Sequence, residues 1–213
     1  EKRDSLTLTA EQQMLLDKTY KGFVSNGANL SEADKEKYRA ISRELSELTV
    51  KFNQNVLAET NSYKLHITNE ADLAGLPQSL IDAAAYTAKQ KGLEGWVITL
   101  DYPMYGPFMK YADNRELRKQ LYMAYGNRCF KGNEYDNQKI AQRIANLRLE
   151  LANLLGYPNF ATFVLENRMA ETPERVNQFL DQLVAASLPA AREEVKEVEE
   201  FARQQGFKGK LER

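Results

Sequence analysis

His66 and Cys129 are the only imidazole and the only thiol in the 213-residue chain, and they bound the chemistry it can host. A hydrolytic zinc centre draws three or four ligands mostly from imidazole and thiolate. No H-E-x-x-H occurs; His66 is followed by Ile67-Thr68-Asn69. A di-iron bundle needs Glu-x-x-His pairs, and the residue three before His66 is Tyr63. Any Ser-His-Asp or Cys-His site would have to use His66, which lies in the strand-like run Leu65-His66-Ile67 with no G-x-S-x-G elbow beside it. The expectation is a packed or surface histidine. Gly22 and Gly27 have the separation of a phosphate loop, but Ala28-Asn29 stands where Lys-Ser/Thr must follow, so the segment reads as a turn.

Carboxylates are plentiful but dispersed. Glu193-Glu194, Glu197 and Glu199-Glu200 alternate with Arg192, Lys196 and Arg203 at i,i+4 spacing, the pattern of a solvated helix face. No calcium-loop spacing with its central glycine is present. Lys and Arg total 29 against 30 Asp and Glu, a net charge of -1. This leaves no excess to neutralise phosphates, and neither nucleic acid nor a membrane is expected as a partner. Lys35-Glu36-Lys37 and Lys208-Gly209-Lys210 are short, solvated patches. Asn29-Leu30-Ser31 matches a glycosylation triplet, but nothing suggests secretion. Glu1-Lys2-Arg3-Asp4 precedes no apolar core, and the longest uncharged run, 151–165, is too short to span a bilayer. With a single thiol this points to a cytoplasmic location. At 43% apolar residues the chain can build a core, and surface scaling expects about 10,000 Å² exposed for a domain of this mass.

The elements that would position these residues are helical. Tyr38, Ile41, Leu45, Leu48, Phe52 and Val56 recur at three- and four-residue spacing, predicting one long helix over 32–61 with Ser31 as N-cap and Asp34 in its first turn. Ile140, Ile144, Leu147, Leu151 and Leu154 form a second seam, capped by Asp136 and stopped by Gly156. Thr9-Ala10-Glu11-Gln12 is a capping box opening a helix through Phe23. Asp113 with Glu116 opens another helix, bearing Leu117, Leu121 and Tyr125. Thr172-Pro173 starts one that reaches Gln205 with a kink at Pro189. Shorter helices are expected over 78–91 and 159–169. Only 65–67 and 96–100 read as strands, and they must pair with each other to satisfy their backbones. The stretch Asp101–Phe108, with two prolines and three aromatics, reads as a packed loop or a cleft rim. The fold class is all-α with one minimal two-stranded element, and 1–213 is expected to be a single helical unit.

Six segments in order carry a resemblance. They are Leu30-Ser31 into Tyr38–Phe52-Asn53-Gln54-Asn55-Val56, Leu73-Ala74-Gly75-Leu76-Pro77, Gly95–Pro103, Tyr111–Arg118, Leu154–Asn159, and Met169-Ala170 before Thr172-Pro173. Together they resemble the thimet-oligopeptidase family of zinc metallopeptidases, most of all its bacterial peptidyl-dipeptidase (dipeptidyl carboxypeptidase) branch. The resemblance implies an internal fragment, part of the helical wall of a channel that admits short peptides, in a parent that releases dipeptides from peptide C-termini. It implies zinc in that parent, held by an H-E-x-x-H and a downstream glutamate. No position here matches those residues, so no catalytic, metal or substrate-binding residue is assigned and no cofactor is expected in this chain. The expected partners are short peptides for the intact enzyme and the remaining parts of the same polypeptide. Helix faces that dock on those parts would be exposed here, favouring self-association. A self-sufficient helical interaction module without catalysis is the rival reading.

Overall fold

The computed structural model describes residues 7–211; the charged start Glu1–Asp4 lies outside them. Helices dominate, accompanied by one two-stranded sheet. The chain divides into two compact units, 1–150 and 151–213.

In the first unit, α1 (Ala10–Ser25) opens on the expected capping box, with the Thr9 and Gln12 side chains each bonded to the other's backbone N–H. A turn through Gly27 leads to α2 (Glu32–Ser62), capped by the Ser31 hydroxyl, which accepts from the Asp34 N–H. Then β1 (Leu65–Ile67), a 3-10 turn (Glu70–Leu73) and α3 (Gln78–Gln90) precede β2 (Trp96–Ile98). The strands pair antiparallel, Leu65 opposite Ile98 and Ile67 opposite Trp96. Alternation then puts Leu65 and Ile67 in the core and leaves His66 outside.

The core gathers Leu65, Ile67, Leu73, Leu80, Ala84, Ile98, Leu100, Phe108 and Leu121, drawn from the sheet, the 3-10 turn, α3, the residues after β2, and α4 (Tyr102–Tyr111) and α5 (Arg115–Gly126). Two glycines are fixed by close backbone approach. Gly75, at φ +83°, lies where a Cβ would run into the Tyr111 carbonyl, and Gly95, at φ +82°, faces the Ile67 carbonyl in the same way. The Asp113 N–H donates to Ala74 O at 2.9 Å and Asn114 Nδ2 to Asp72 Oδ1 at 2.8 Å, closing the same joint.

Two expectations are corrected here. The 101–108 stretch is neither loop nor bare rim but the start of α4. Pro103 sits in the first turn, where its missing N–H would have no helical acceptor, and Pro107 costs only one bond further in. Phe108 is fully buried while Tyr102 stays exposed. The cap of α5 is Asn114 rather than Asp113: Asn114 Oδ1 accepts from the Glu116 and Leu117 N–H groups at 3.0 and 3.2 Å.

The boundary between the units falls within α6 (Gln138–Leu154). Asn137, not the expected Asp136, stands at its N-cap position, its carbonyl accepting from the Ala141 N–H at 2.8 Å, while Asp136 Oδ1 accepts from the Gln138 N–H at 2.9 Å from one residue earlier. It ends at Gly156, φ +88°, with the Tyr157 N–H returning to Ala152 O at 2.9 Å.

The second unit contains α7 (Phe160–Leu165), shorter than the expected 159–169, packed on α8 (Pro173–Gln204). Thr172 Oγ1 caps α8 by accepting from the Arg175 N–H. The helix continues through Pro189 as one element. No residue of α8 is fully buried. The chain exposes 15552 Å², well above the 10,000 Å² of one domain and above the roughly 12,000 Å² of two separate domains dividing this mass.

Candidate functional site

α2 is 31 residues long, yet its only fully buried residues are Asn55 and Glu59. The seam residues Tyr38, Ile41, Leu45, Leu48 and Phe52 are half-buried. Spaced i and i+4, Asn55 and Glu59 share one face of the helix, and that face meets the 127–137 connection between α5 and α6.

Glu59 is clasped on both oxygens. Its Oε1 accepts from Lys131 Nζ at 2.7 Å and its Oε2 from the Cys129 backbone N–H. Cys129 holds φ +57°, a left-handed conformation that strains a residue carrying a Cβ. Beside it, Asn55 Nδ2 donates to Asn137 Oδ1 at 2.9 Å, Asn137 Nδ2 to Phe52 O at 3.1 Å, and the Asn137 N–H to Cys129 O at 2.9 Å. Arg128 Nη1 reaches Thr60 Oγ1 at 2.9 Å while its guanidinium lies 3.8 Å from the centre of the Tyr125 ring, which stacks on Tyr105 at 4.1 Å. Amide, carboxylate, ammonium and guanidinium together pin the end of α2 to the 127–137 connection. Among the described residues no buried side-chain polar atom lacks a partner.

The electrostatics of this contact follow from burial and from its hydrogen bonds. Burial alone would raise the Glu59 carboxyl, but the hydrogen bonds from Lys131 and the Cys129 N–H outweigh it and hold the group below the usual glutamate range. Burial pushes the Cys129 thiol up, and the neighbouring Glu59 carboxylate adds to that rise. The thiol therefore stays protonated and is a weak nucleophile. His66 is exposed, with Nε2 2.7 Å from Glu94 O. A groove of about 790 Å³ opens beside the clasp, lined by Gly132, Asn133, Asp136, Gln138, Lys139 and Gln142. Its carboxylate, Asp136, is already spent on the Gly132 and Gln138 N–H groups and the Gln138 side chain.

The donor set does not fit zinc. Among the described residues no three of His, Cys, Asp or Glu are gathered where an ion could sit. The one imidazole is bonded to Glu94 and the one thiol is packed against Glu59. The acidic run 193–200 lies along an exposed helix, as its spacing indicates. Also among the described residues, no helix is long and apolar enough to cross a membrane.

The clasp escaped the sequence reading because a buried glutamate has the same local pattern as a solvated one. The one signal was the Phe52–Val56 segment, singled out for its resemblance and not for burial.

Residues 108–212 match the model of peptidase family M3. Oligopeptidase A of Haemophilus influenzae is 38% identical over 194 residues, 89% of this chain and 28% of that protein. Oligopeptidase A of Escherichia coli is 37% identical over 201 residues, 92% of this chain and 30% of that protein. Dipeptidyl carboxypeptidase of Escherichia coli is 34% identical over 200 residues, 93% and 29%. The chain thus spans under a third of the length of these curated relatives.

Proposed function

Because the chain is a relative of the family M3 peptidases, we propose that it is a helical, non-catalytic segment of a zinc-dependent oligopeptidase and lines the channel that admits short peptides. The observation that carries this is 37–38% identity, over about nine-tenths of the chain, to proteins named oligopeptidase A that are more than three times as long. The donor set agrees with it. A chain whose single imidazole and single thiol are both committed elsewhere leaves hydrolysis to other residues of the parent. Dipeptide release from peptide C-termini is the proposed activity of that parent, supported by the relatives named dipeptidyl carboxypeptidase. A cytoplasmic place is supported by the relative named probable cytosolic oligopeptidase A.

The experiment has two arms. The 213-residue chain and the full encoded polypeptide are each incubated with short blocked and unblocked peptides, with and without a chelator, and the products are weighed by mass spectrometry. The expected result is no cleavage by the short chain and chelator-sensitive loss of C-terminal dipeptides by the long one. Internal cuts alone would replace dipeptide release by general oligopeptidase action. Chelator-sensitive cleavage by the 213-residue chain itself would overturn the non-catalytic assignment. A coding frame that closes at Arg213 would favour the interaction-module reading.

A further inference from the structure

Asn26-Gly27 is the only Asn-Gly pair in the 213 residues, and it lies in the turn from α1 into α2. In such a pair the backbone nitrogen after asparagine can attack the side-chain amide, and glycine gives that nitrogen the least steric cover. Asn26 is exposed and stands just past the helix, as the C-cap of α1. The glycine beside it is not free to change. It holds φ +83°, and a Cβ there would lie 3.0 Å from Leu30 Cδ1 and 3.4 Å from the Tyr38 ring. The susceptible pair is therefore built into the turn.

In the closed turn both reacting groups are engaged. Asn26 Nδ2 donates to Gly22 O at 2.8 Å, and the Gly27 N–H donates to Val24 O at 2.9 Å. The Tyr38 hydroxyl donates to Asn26 Oδ1 at 3.4 Å. Ring closure needs the amide and the nitrogen released from these bonds, so the reaction runs through local opening at the end of α1. No residue of α1 is fully buried, which favours that opening.

The chemistry consumes only water. Gly27 N gives up its proton and attacks Asn26 Cγ; the new C–N bond forms as Cγ–Nδ2 breaks, and ammonia leaves with that proton. Water then opens the five-membered ring. Its hydroxyl adds to Cγ, giving aspartate, or to the Asn26 main-chain carbonyl carbon, giving isoaspartate, and its other proton returns to Gly27 N. Neither product closes the turn as before. The side-chain donor to Gly22 O is gone, and a carboxylate stands at the negative end of the α1 dipole. Isoaspartate also adds a backbone carbon before a glycine that lies against the Tyr38 ring. We propose that Asn26-Gly27 is a self-modification site acting as a ratchet: opening of the α1–α2 turn lets the chain convert Asn26, and the product keeps the turn open.

To test this, the 213-residue chain is held for days in mildly alkaline buffer, folded and in urea. Its peptides are then mapped by mass spectrometry, with electron-transfer fragmentation to tell isoaspartate from aspartate. In the folded chain Asn26 should convert severalfold faster than Asn61, which precedes Ser62 in the last turn of α2. Isoaspartate should predominate, and urea should speed the conversion of Asn26 severalfold. Conversion no faster than at Asn61, aspartate without isoaspartate, or a rate that urea leaves unchanged each overturn the proposal. The hold on the turn is read separately by amide hydrogen exchange. Converted protein should exchange severalfold faster across 22–30 than unconverted protein. Asn26→Asp, which supplies the charge without the extra carbon, should show part of that increase. Unchanged exchange in the converted protein overturns the ratchet.

Discussion

Glu59 is the residue whose removal the structure opposes most clearly. Truncating Glu59→Ala strands the Cys129 N–H and leaves Lys131 beside an apolar gap, which should cost about 2–4 kcal/mol. Glu59→Gln keeps an acceptor for the Cys129 N–H and should cost less, on the order of 1 kcal/mol. Urea unfolding followed by circular dichroism measures both, and equal midpoints for Ala and wild type would remove the clasp from the account. The depressed carboxyl also dictates a pH dependence. Its stabilisation is fully present above the unfolded value near 4.5 and is lost as pH falls through the lower folded value. Glu59→Gln should therefore narrow its gap to wild type below about pH 4. At the alkaline end the raised Cys129 thiol acts in the opposite sense, lowering stability as pH climbs past the unfolded value near 9. Gly75 is a second exacting residue. Gly75→Ala meets both a left-handed φ and the Tyr111 carbonyl, so a loss of about 2–4 kcal/mol is expected from the same measurement.

Among the elements, those opened by a side-chain cap were legible from sequence. Thr9, Ser31 and Thr172 each accept the N–H their position predicts, and the helix stop at Gly156 takes positive φ. The α5 cap slipped by one residue because Asp113 and Asn114 are equally good caps, and the choice is made by tertiary structure. The Asp113 N–H is held by Ala74, while the Asn114 side chain serves both Asp72 and the helix end. α4 was illegible for a different reason. Two prolines argue for a loop unless their places in the helix are known, and only packing of Phe108 into the core fixes those places. For α8, which has no fully buried residue, Thr172→Ala should fray the first turn at a cost of about 1 kcal/mol. Loss of helical ellipticity on that scale checks it.

Taken whole, the chain offers water half again the surface expected for its mass. The large apolar side chains that α8 leaves exposed, Leu180, Leu183 and Phe201 among them, should make the isolated 213-residue chain associate loosely as concentration rises. Static light scattering against protein concentration checks this, and a monomer throughout would contradict it. Leu180→Ser with Leu183→Ser should reduce scattering without lowering the melting temperature, since both side chains already face solvent. The all-α class with its two-stranded element could be read from periodicity because it depends on spacing alone. Which faces stay uncovered could not, because coverage depends on residues far away in the chain or outside it.

The thiol of Cys129 is buried beside the carboxylate that holds its backbone N–H, and these 213 residues contain no other. Every molecule thus carries one internal reporter whose alkylation requires that pin to be withdrawn. The rate at which a maleimide consumes it, compared with the rate on the unfolded chain, would count how often the end of α2 lets go without any label having to be engineered.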